Sequence, residues 1–461
     1  MRNEWLKLRE KTLFKTEPVH FKEVMDDIRK EWQIRFEADS QDQKLQLIEL
    51  VKELTLDFKS YLPSWYLLKN DDGTMKSIID TEANKNIAIL NQWGALDAVN
   101  YITKEINDMD KSSLIRLSMM SDAGKINTRW GNDYATGLTH ALRKGAVLVT
   151  TNPPLIDIAR KSNPEMWNPV RDRLKTENPK MKTEKLCSLM TMQVVLENCK
   201  EIKPIYDATN GKYGYVSLQV NPKNFTDAKG MIDESEALYG QLEKELGGTP
   251  NVVFKVPATK AGIEVVERLT VQGIGVNVTV NFAVSQELAF AEAIEKGNAK
   301  MSFLTLMSGR LDDPIKDELL KAGVEDAVEV SKWGGIAVGR RVYDMVYRQK
   351  GFKKSFLLQA SLRGPWHIDE LVTDEAQTVF ITVFPDKAQE YDKVERDIRP
   401  RINEALPMDV LEKLYKSKIF VQAYEPDGLS IDDFDDYFPV AVTLKAFGKA
   451  YDEFLEYLKT P

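Results

Sequence analysis

Residues 251–257 read NVVFKVP, an apolar β-type run with a lysine in its middle. A strand flanked by helical segments is buried on both faces, so an ammonium inside it is costly unless it has a task. The ordinary reading of Lys255 is a strand-end lysine that snorkels to water. The alternative is chemical. Desolvation disfavours the charged form and lowers a lysine pKa. A neutral amine attacks a ketone or aldehyde and forms a Schiff base. The iminium is an electron sink, so an adjacent carbon–carbon bond can break and leave an enamine. That chemistry needs proton-transfer groups within hydrogen-bond reach, often through a positioned water.

The elements that would hold such a lysine follow from the pattern around it. From about residue 111, short β-type runs alternate with helix-type segments. The runs are SLIRLSMM (113–120), GAVLVTTN (145–152), GYVSLQVN (214–221), NVVFKVPAT (251–259), GIGVNVTVNF (273–282), KMSFLTLM (300–307), SFLLQASLR (355–363) and TVFITVFP (378–385). Eight strands with helical crossovers predict an α/β fold, an eight-stranded parallel (β/α)8 barrel. VSLQVN (216–221) and VNVTVN (276–281) alternate strictly between apolar and polar residues. In a parallel barrel the apolar set faces the helices. The polar set (Ser217, Gln219, Asn221; Asn277, Thr279, Asn281) then faces the interior. The same parity turns Lys255 inward, near the C-terminal end of its strand, where barrel enzymes keep their chemistry. Gln219, Thr279 and nearby carboxylates are the candidate proton-handling or water-holding groups. LMSGRLDD (306–313) offers Arg310 after the sixth strand, and QASLRG (359–364) offers Ser361 and Arg363 after the seventh. Guanidinium and hydroxyl donors at these strand ends suit a phosphate.

Residues 1–110 read as a helical extension, with VHFKEVMDDIRKEW, QKLQLIELVKELTLDF and NIAILNQWGALDAVNYITKEI apolar at helical spacing and PSWYLLKNDDG as a loop between them. The barrel is placed at 111–390 and a set of C-terminal helices packed on it at 391–461. The 461-residue chain is 43% hydrophobic and 29% charged, which suits a large globular core. A net charge of −8 without a basic stripe argues against nucleic acid as partner. No apolar leader and no run long enough to span a bilayer is present, so no membrane is expected. Cys187 and Cys199 form no metal or redox spacing, which predicts a reduced, cytoplasmic setting. His20, His140 and His367 are too scattered for a metal site, and a structural or surface role is expected for each.

These residues resemble the transaldolase family, from about residue 113 to the C-terminus. VLVTTNPPL (147–155) is similar to its second-strand motif. IKPIYDATNGKYGYVSLQVNP (202–222) resembles its third-strand region, and KVPATKAGIEVVERLTVQGIGVNVTVNFAVSQ (255–286) resembles the stretch carrying its lysine. SGRLDD and ASLRG match its phosphate-binding segments. The resemblance implies Lys255 as nucleophile, Asn152 and Thr279 as polar partners of the intermediate and the catalytic water, and Arg310, Ser361 and Arg363 at the phosphate. It implies sugar-phosphate substrates, a place in carbohydrate metabolism of the pentose phosphate type, and no cofactor or metal. The state of oligomerisation stays open.

Three departures bear on function. Gln219 stands where the family has a glutamate, and fructose 6-phosphate aldolases also carry glutamine there. The first-strand aspartate aligns with either Asp122 or Ser118, both of inward parity, and Asp122 is the one expected to act. Thr305 and Met307 replace a serine and an aromatic residue ahead of Arg310, so Thr305 and Asn277 are expected to line the site. The expected activity is transfer of a dihydroxyacetone unit between sugar phosphates. The alternatives are simple aldol cleavage and addition, or an impaired barrel that binds sugar phosphates.

Overall fold

Short apolar runs bounded by turns cannot satisfy their backbone groups alone, and here they pair with one another. In the computed structural model, which describes residues 1–70 and 73–459, eight parallel strands close into a barrel in sequence order. They are β1 (Thr128–Asn132), β2 (Leu148–Val149), β3 (Tyr215–Gln219), β4 (Val252–Pro257), β5 (Val276–Asn281), β6 (Phe303–Leu306), β7 (Phe356–Gln359) and β8 (Val379–Val383). β8 pairs with β1 from Thr128↔Val379 to Asn132↔Val383 and closes the ring. The runs expected from residue 145 onward coincide with β2 to β8.

Among the described residues, seven α-helices precede the barrel: α1 (Arg2–Glu10), α2 (Phe21–Ala38), α3 (Gln41–Phe58), α4 (Pro63–Asn70), α5 (Met75–Gln92), α6 (Leu96–Asp110) and α7 (Ser113–Asp122). α3 opens on a reciprocal cap between Ser40 and Gln43. The segment expected as one helical stretch around residue 94 is two, because Gly94 takes φ +72° and stops α5. The expected loop PSWYLLKNDDG is instead α4 over its first eight residues, and Asp71 and Asp72 lie outside the described residues. Tertiary burial of Trp65 and Tyr66 overrides the turn-like composition. The Trp65 ring lies 5.8 Å from Tyr213, and Tyr213 lies 6.3 Å from Phe380. Phe380 in turn meets Phe303 at 5.1 Å and Phe356 at 5.7 Å. Phe303 and Phe356 are the first residues of their strands, so these rings fill the N-terminal end of the barrel, and α4 packs onto that plug.

The first expected strand is a correction. SLIRLSMM forms α7, whose cap is Ser112 Oγ accepting from Ile115 N. Its buried residues Leu114, Leu117 and Ser118 recur at three- and four-residue spacing, which is a helix face and not a strand face. Ser118 is buried beside the Gly145 carbonyl. Asp122 ends the helix in an ion pair with Arg129 at 2.7 Å and a hydrogen bond from Tyr61. Neither residue sits at a strand's C-terminal end. β1 comes from TRWGN, and the aspartate that follows it is Asp133.

Two further parities differ. The β5–β6 register shifts between Val278 and Asn281, and Val280 has φ +54°, a costly conformation for a β-branched residue. The bulge turns Asn281 onto Glu287 of the helix Val284–Glu295. Asn221 lies past β3 and spends its side chain accepting from Lys223 N in a 3₁₀ turn.

Candidate functional site

Lys255 is the fourth residue of β4, fully paired on both sides, opposite Gln219 of β3 and Asn277 of β5. It is 4% exposed, so its ammonium does not snorkel to bulk water. Nζ donates to the Thr151 carbonyl at 2.9 Å, across β3. The Thr151 peptide is itself held by Ser217, whose Oγ accepts from Thr151 N at 2.9 Å and whose carbonyl accepts from Thr151 Oγ1 at 2.7 Å. Burial pushes the Lys255 pKa down to about 8, the negative charge of Asp133 opposes this, and the charge of Arg310 adds to it.

Asp133 is 4% exposed at the end of β1. Its Oδ1 accepts from Thr150 Oγ1 at 2.7 Å, and Thr150 also meets Thr382 of β8 at 2.5 Å. Burial raises the Asp133 pKa, while Lys255, the Thr150 hydroxyl and Arg310 act the other way. An amine, a carboxyl group and a guanidinium from β4, β1 and the segment after β6 thus act on one another electrostatically.

The expected lining residues stand on β3, β5 and β6 and past the end of β2. Gln219 Nε2 donates to the Lys255 carbonyl at 3.3 Å, and its buried Oε1 has no protein partner. Thr305 donates to Asn277 Oδ1 across the β5–β6 pair, leaving Asn277 Nδ2 without a partner. Thr279 is fully buried, 3.9 Å from Met307 Sδ. Asn152 is half-buried and caps the helix Pro153–Ser162, with Oδ1 accepting from Leu155 N at 3.0 Å.

The expected phosphate residues converge as a second group. Arg310 stands in the first turn of the helix Ser308–Lys321, and Arg363 follows β7. Arg310 has its pKa lowered by burial first and by Arg363 second, so two guanidiniums are held close enough to repel. Arg363 Nη2 pairs with Asp313 at 2.7 Å and Nη1 donates to the Ser361 carbonyl at 3.0 Å. Ser361 takes φ +60°. Gly309 makes the approach of the two loops feasible, because a Cβ there would overlap the Ser361 carbonyl and lie 2.7 Å from Arg363 Cγ. The C-terminal helix Phe438–Lys459 brings Phe447 to 5.6 Å from the Arg310 guanidinium, a cation–π contact. Its Asp452 pairs with Lys223 at 2.5 Å, beyond β3.

Reading the sequence did not single out Asp133 or Phe447. The signal for Asp133 was indirect. Once the spacing of Leu114 and Leu117 is read as helical, a first strand must lie between α7 and GAVLVTTN, and INTRWGND is what remains there. Among the described residues, no group of three or more His, Cys, Asp or Glu side chains could hold a metal ion. Among them, too, no helix is long and apolar enough to cross a membrane.

Fold and site together define a (β/α)8 barrel with a desolvated lysine near the C-terminal end of β4 and paired arginines after β6 and β7. The sequence profile of the Transaldolase/Fructose-6-phosphate aldolase family matches residues 137–430, and the chain belongs to that family. It is 26% identical over 250 residues to a transaldolase of Thiobacillus denitrificans, covering 49% of this chain and 67% of that protein. It is 29% identical over 212 residues to transaldolase 1 of Streptomyces avermitilis, covering 44% of this chain and 54% of the relative. A transaldolase of Neisseria meningitidis serogroup A is 34% identical over 165 residues, 35% of this chain and 44% of the relative. The chain thus spans about half to two thirds of the length of these relatives. The family match begins after Asp133 and leaves out α1 to α7.

Proposed function

We propose that this barrel is a transaldolase-like enzyme that moves a dihydroxyacetone unit between sugar phosphates through a Schiff base on Lys255. The observation that carries the reading is the buried amine of Lys255, held near pKa 8 beside a carboxyl group. An ordinary lysine is almost wholly protonated at neutral pH, whereas at a pKa near 8 about a tenth is free amine. The free amine adds to the ketose carbonyl carbon, and Asp133 in its acid form gives the proton with which the former carbonyl oxygen leaves as water, so that the iminium and the Asp133 carboxylate result. Asp133 as carboxylate takes the proton of the hydroxyl on the far carbon of the scissile bond. That bond breaks, its electrons pass into the iminium, and an enamine and an aldehyde result. Addition of a second aldehyde reverses the steps. Asn152, Asn277, Thr279, Thr305 and Gln219 offer amide and hydroxyl groups that orient the hydroxyls and water, while Arg310, Ser361 and Arg363 hold the phosphate.

Gln219 supports a second reading, aldol cleavage and addition without transfer. Its unpaired Oε1 can accept from a water, but an amide cannot take and return that water's proton. Incubation with fructose 6-phosphate, with and without an aldose-phosphate acceptor, separates the two. Product dependent on acceptor supports transfer, and free dihydroxyacetone supports cleavage. Neither product would overturn both. We also propose residues 1–110 as an extension that stiffens the barrel's N-terminal end rather than one that reaches the site.

A further inference from the structure

His367 is fully buried, and both of its ring nitrogens are engaged. Nδ1 accepts from the backbone N–H of Arg363 at 3.1 Å, and Nε2 lies 2.8 Å from Asp312 Oδ2. A nitrogen that accepts an N–H carries no proton, so the ring proton is on Nε2 and is donated to Asp312. Asp312 is 6% exposed, and its other oxygen accepts from Gly335 N at 2.7 Å. Asp312 lies in the same helix, Ser308–Lys321, as Arg310. A rigid path therefore runs from that helix through Asp312 and His367 to the peptide of Arg363.

We propose that Asp312 and His367 are a positioning pair that sets Arg363 and Ser361 against Arg310, so that both guanidiniums meet one phosphate; this rests on the phosphate reading above. Three features need such a tie. The two guanidiniums repel. Ser361 holds a left-handed backbone that a non-glycine residue resists. The Arg363 side chain is more than a third exposed and is held at its tip by Asp313 and the Ser361 carbonyl, so the place of its own peptide decides where the fork can reach. The pair touches no substrate, and its effect falls on substrate affinity rather than on the carbon–carbon bond step.

Asp312→Asn tests this with little change of shape. An amide cannot accept from both Gly335 N and His367 Nε2 with two oxygens, so one bond is lost or the imidazole tautomer flips. A flipped tautomer would turn Nδ1–H onto the Arg363 N–H. Steady-state kinetics with fructose 6-phosphate, and inhibition by inorganic phosphate, should be measured for wild type, Asp312→Asn, His367→Ala, His367→Asn and Arg363→Ala, with calorimetric binding of fructose 6-phosphate alongside. The expected result is KM and the phosphate inhibition constant each raised about tenfold in Asp312→Asn and His367→Ala, with kcat changed far less. His367→Asn, which can keep an oxygen where Nδ1 stood, should recover part of the loss. Lower thermal stability with unmoved phosphate affinity would make the pair merely structural and overturn the proposal. If Arg363→Ala weakens phosphate binding and Asp312→Asn does not, the positioning pair alone fails. If Arg363→Ala changes nothing, the phosphate reading itself falls, and the inference with it.

Discussion

Asp133 and Lys255 enter the same barrel interior from β1 and β4 and act on each other's proton affinity. Burial favours the neutral form of both, and each favours the charged form of the other. Each therefore holds the other nearer its charged form than burial alone would, although Nζ bonds the Thr151 carbonyl and Asp133 bonds the Thr150 hydroxyl.

Lys255 is expected to form the covalent intermediate. Borohydride reduction in the presence of fructose 6-phosphate should add mass to a peptide containing Lys255. Lys255→Met should abolish the adduct, and an adduct that persists would assign the nucleophile elsewhere.

The rate of Schiff-base formation should depend on pH with a defined sign. The Lys255 pKa is lowered to about 8, so raising the pH through 8 frees the amine, and the rate should rise and then level off. Asp133→Asn removes a charge that favours the ammonium, so the midpoint should move further down. Trapping measured against pH in both proteins checks this, and a midpoint that moves up would contradict the pairing.

Asp133 and Asp122 should separate cleanly. Asp133→Asn is expected to lower turnover roughly 10²- to 10⁴-fold with the fold intact. Asp122→Asn should instead weaken the tie to Arg129 and Tyr61 and cost about 1–3 kcal/mol of stability. Turnover and denaturant unfolding of the two variants decide the matter, and the reverse order would return the acid–base role to Asp122.

Arg310→Ala and Arg363→Ala should each weaken binding of a phosphorylated ketose by roughly ten- to a hundredfold, since each loses a charge-assisted contact of about 1.5–3 kcal/mol. Unchanged KM in both variants would remove the phosphate from this part of the rim.

Gln219→Glu should raise the ratio of transfer to simple cleavage, because a carboxylate can exchange a proton with the bound water and an amide cannot. Both activities need to be measured on wild type and variant. An equal ratio would leave Gln219 as lining held by its bond to the Lys255 carbonyl.

The barrel was legible from sequence where strand identity is a local property. The runs of β3 and β5 keep period two for several residues, and the same parity carried to the apolar run of β4 turns its lysine inward, so faces could be assigned before any contact was known. The inward turns of Lys255, Gln219, Asn277 and Thr279 follow from that period, and Arg310 and Arg363 follow from the chain just past β6 and β7. Where the period breaks, as at Val280, the reading failed for Asn281, since one bulged residue reverses every face beyond it.

What only the tertiary structure decided is the first strand and the joining of separate segments. TRWGN carries an arginine, a glycine and an asparagine, and its five residues are extended because β8 pairs with them along their whole length. SLIRLSMM has the apolar content of a strand, yet it is a helix whose most buried residues, Ser113, Leu114, Leu117 and Ser118, fall at helical spacing. The electrostatic coupling of Asp133 to Lys255 spans more than a hundred residues of chain, and the hydrogen bond of Asp312 with His367 spans 55. Periodicity acts over neighbouring residues and records which way a side chain points. Which distant side chain it then faces is set by closure of the sheet, and no local spacing encodes that.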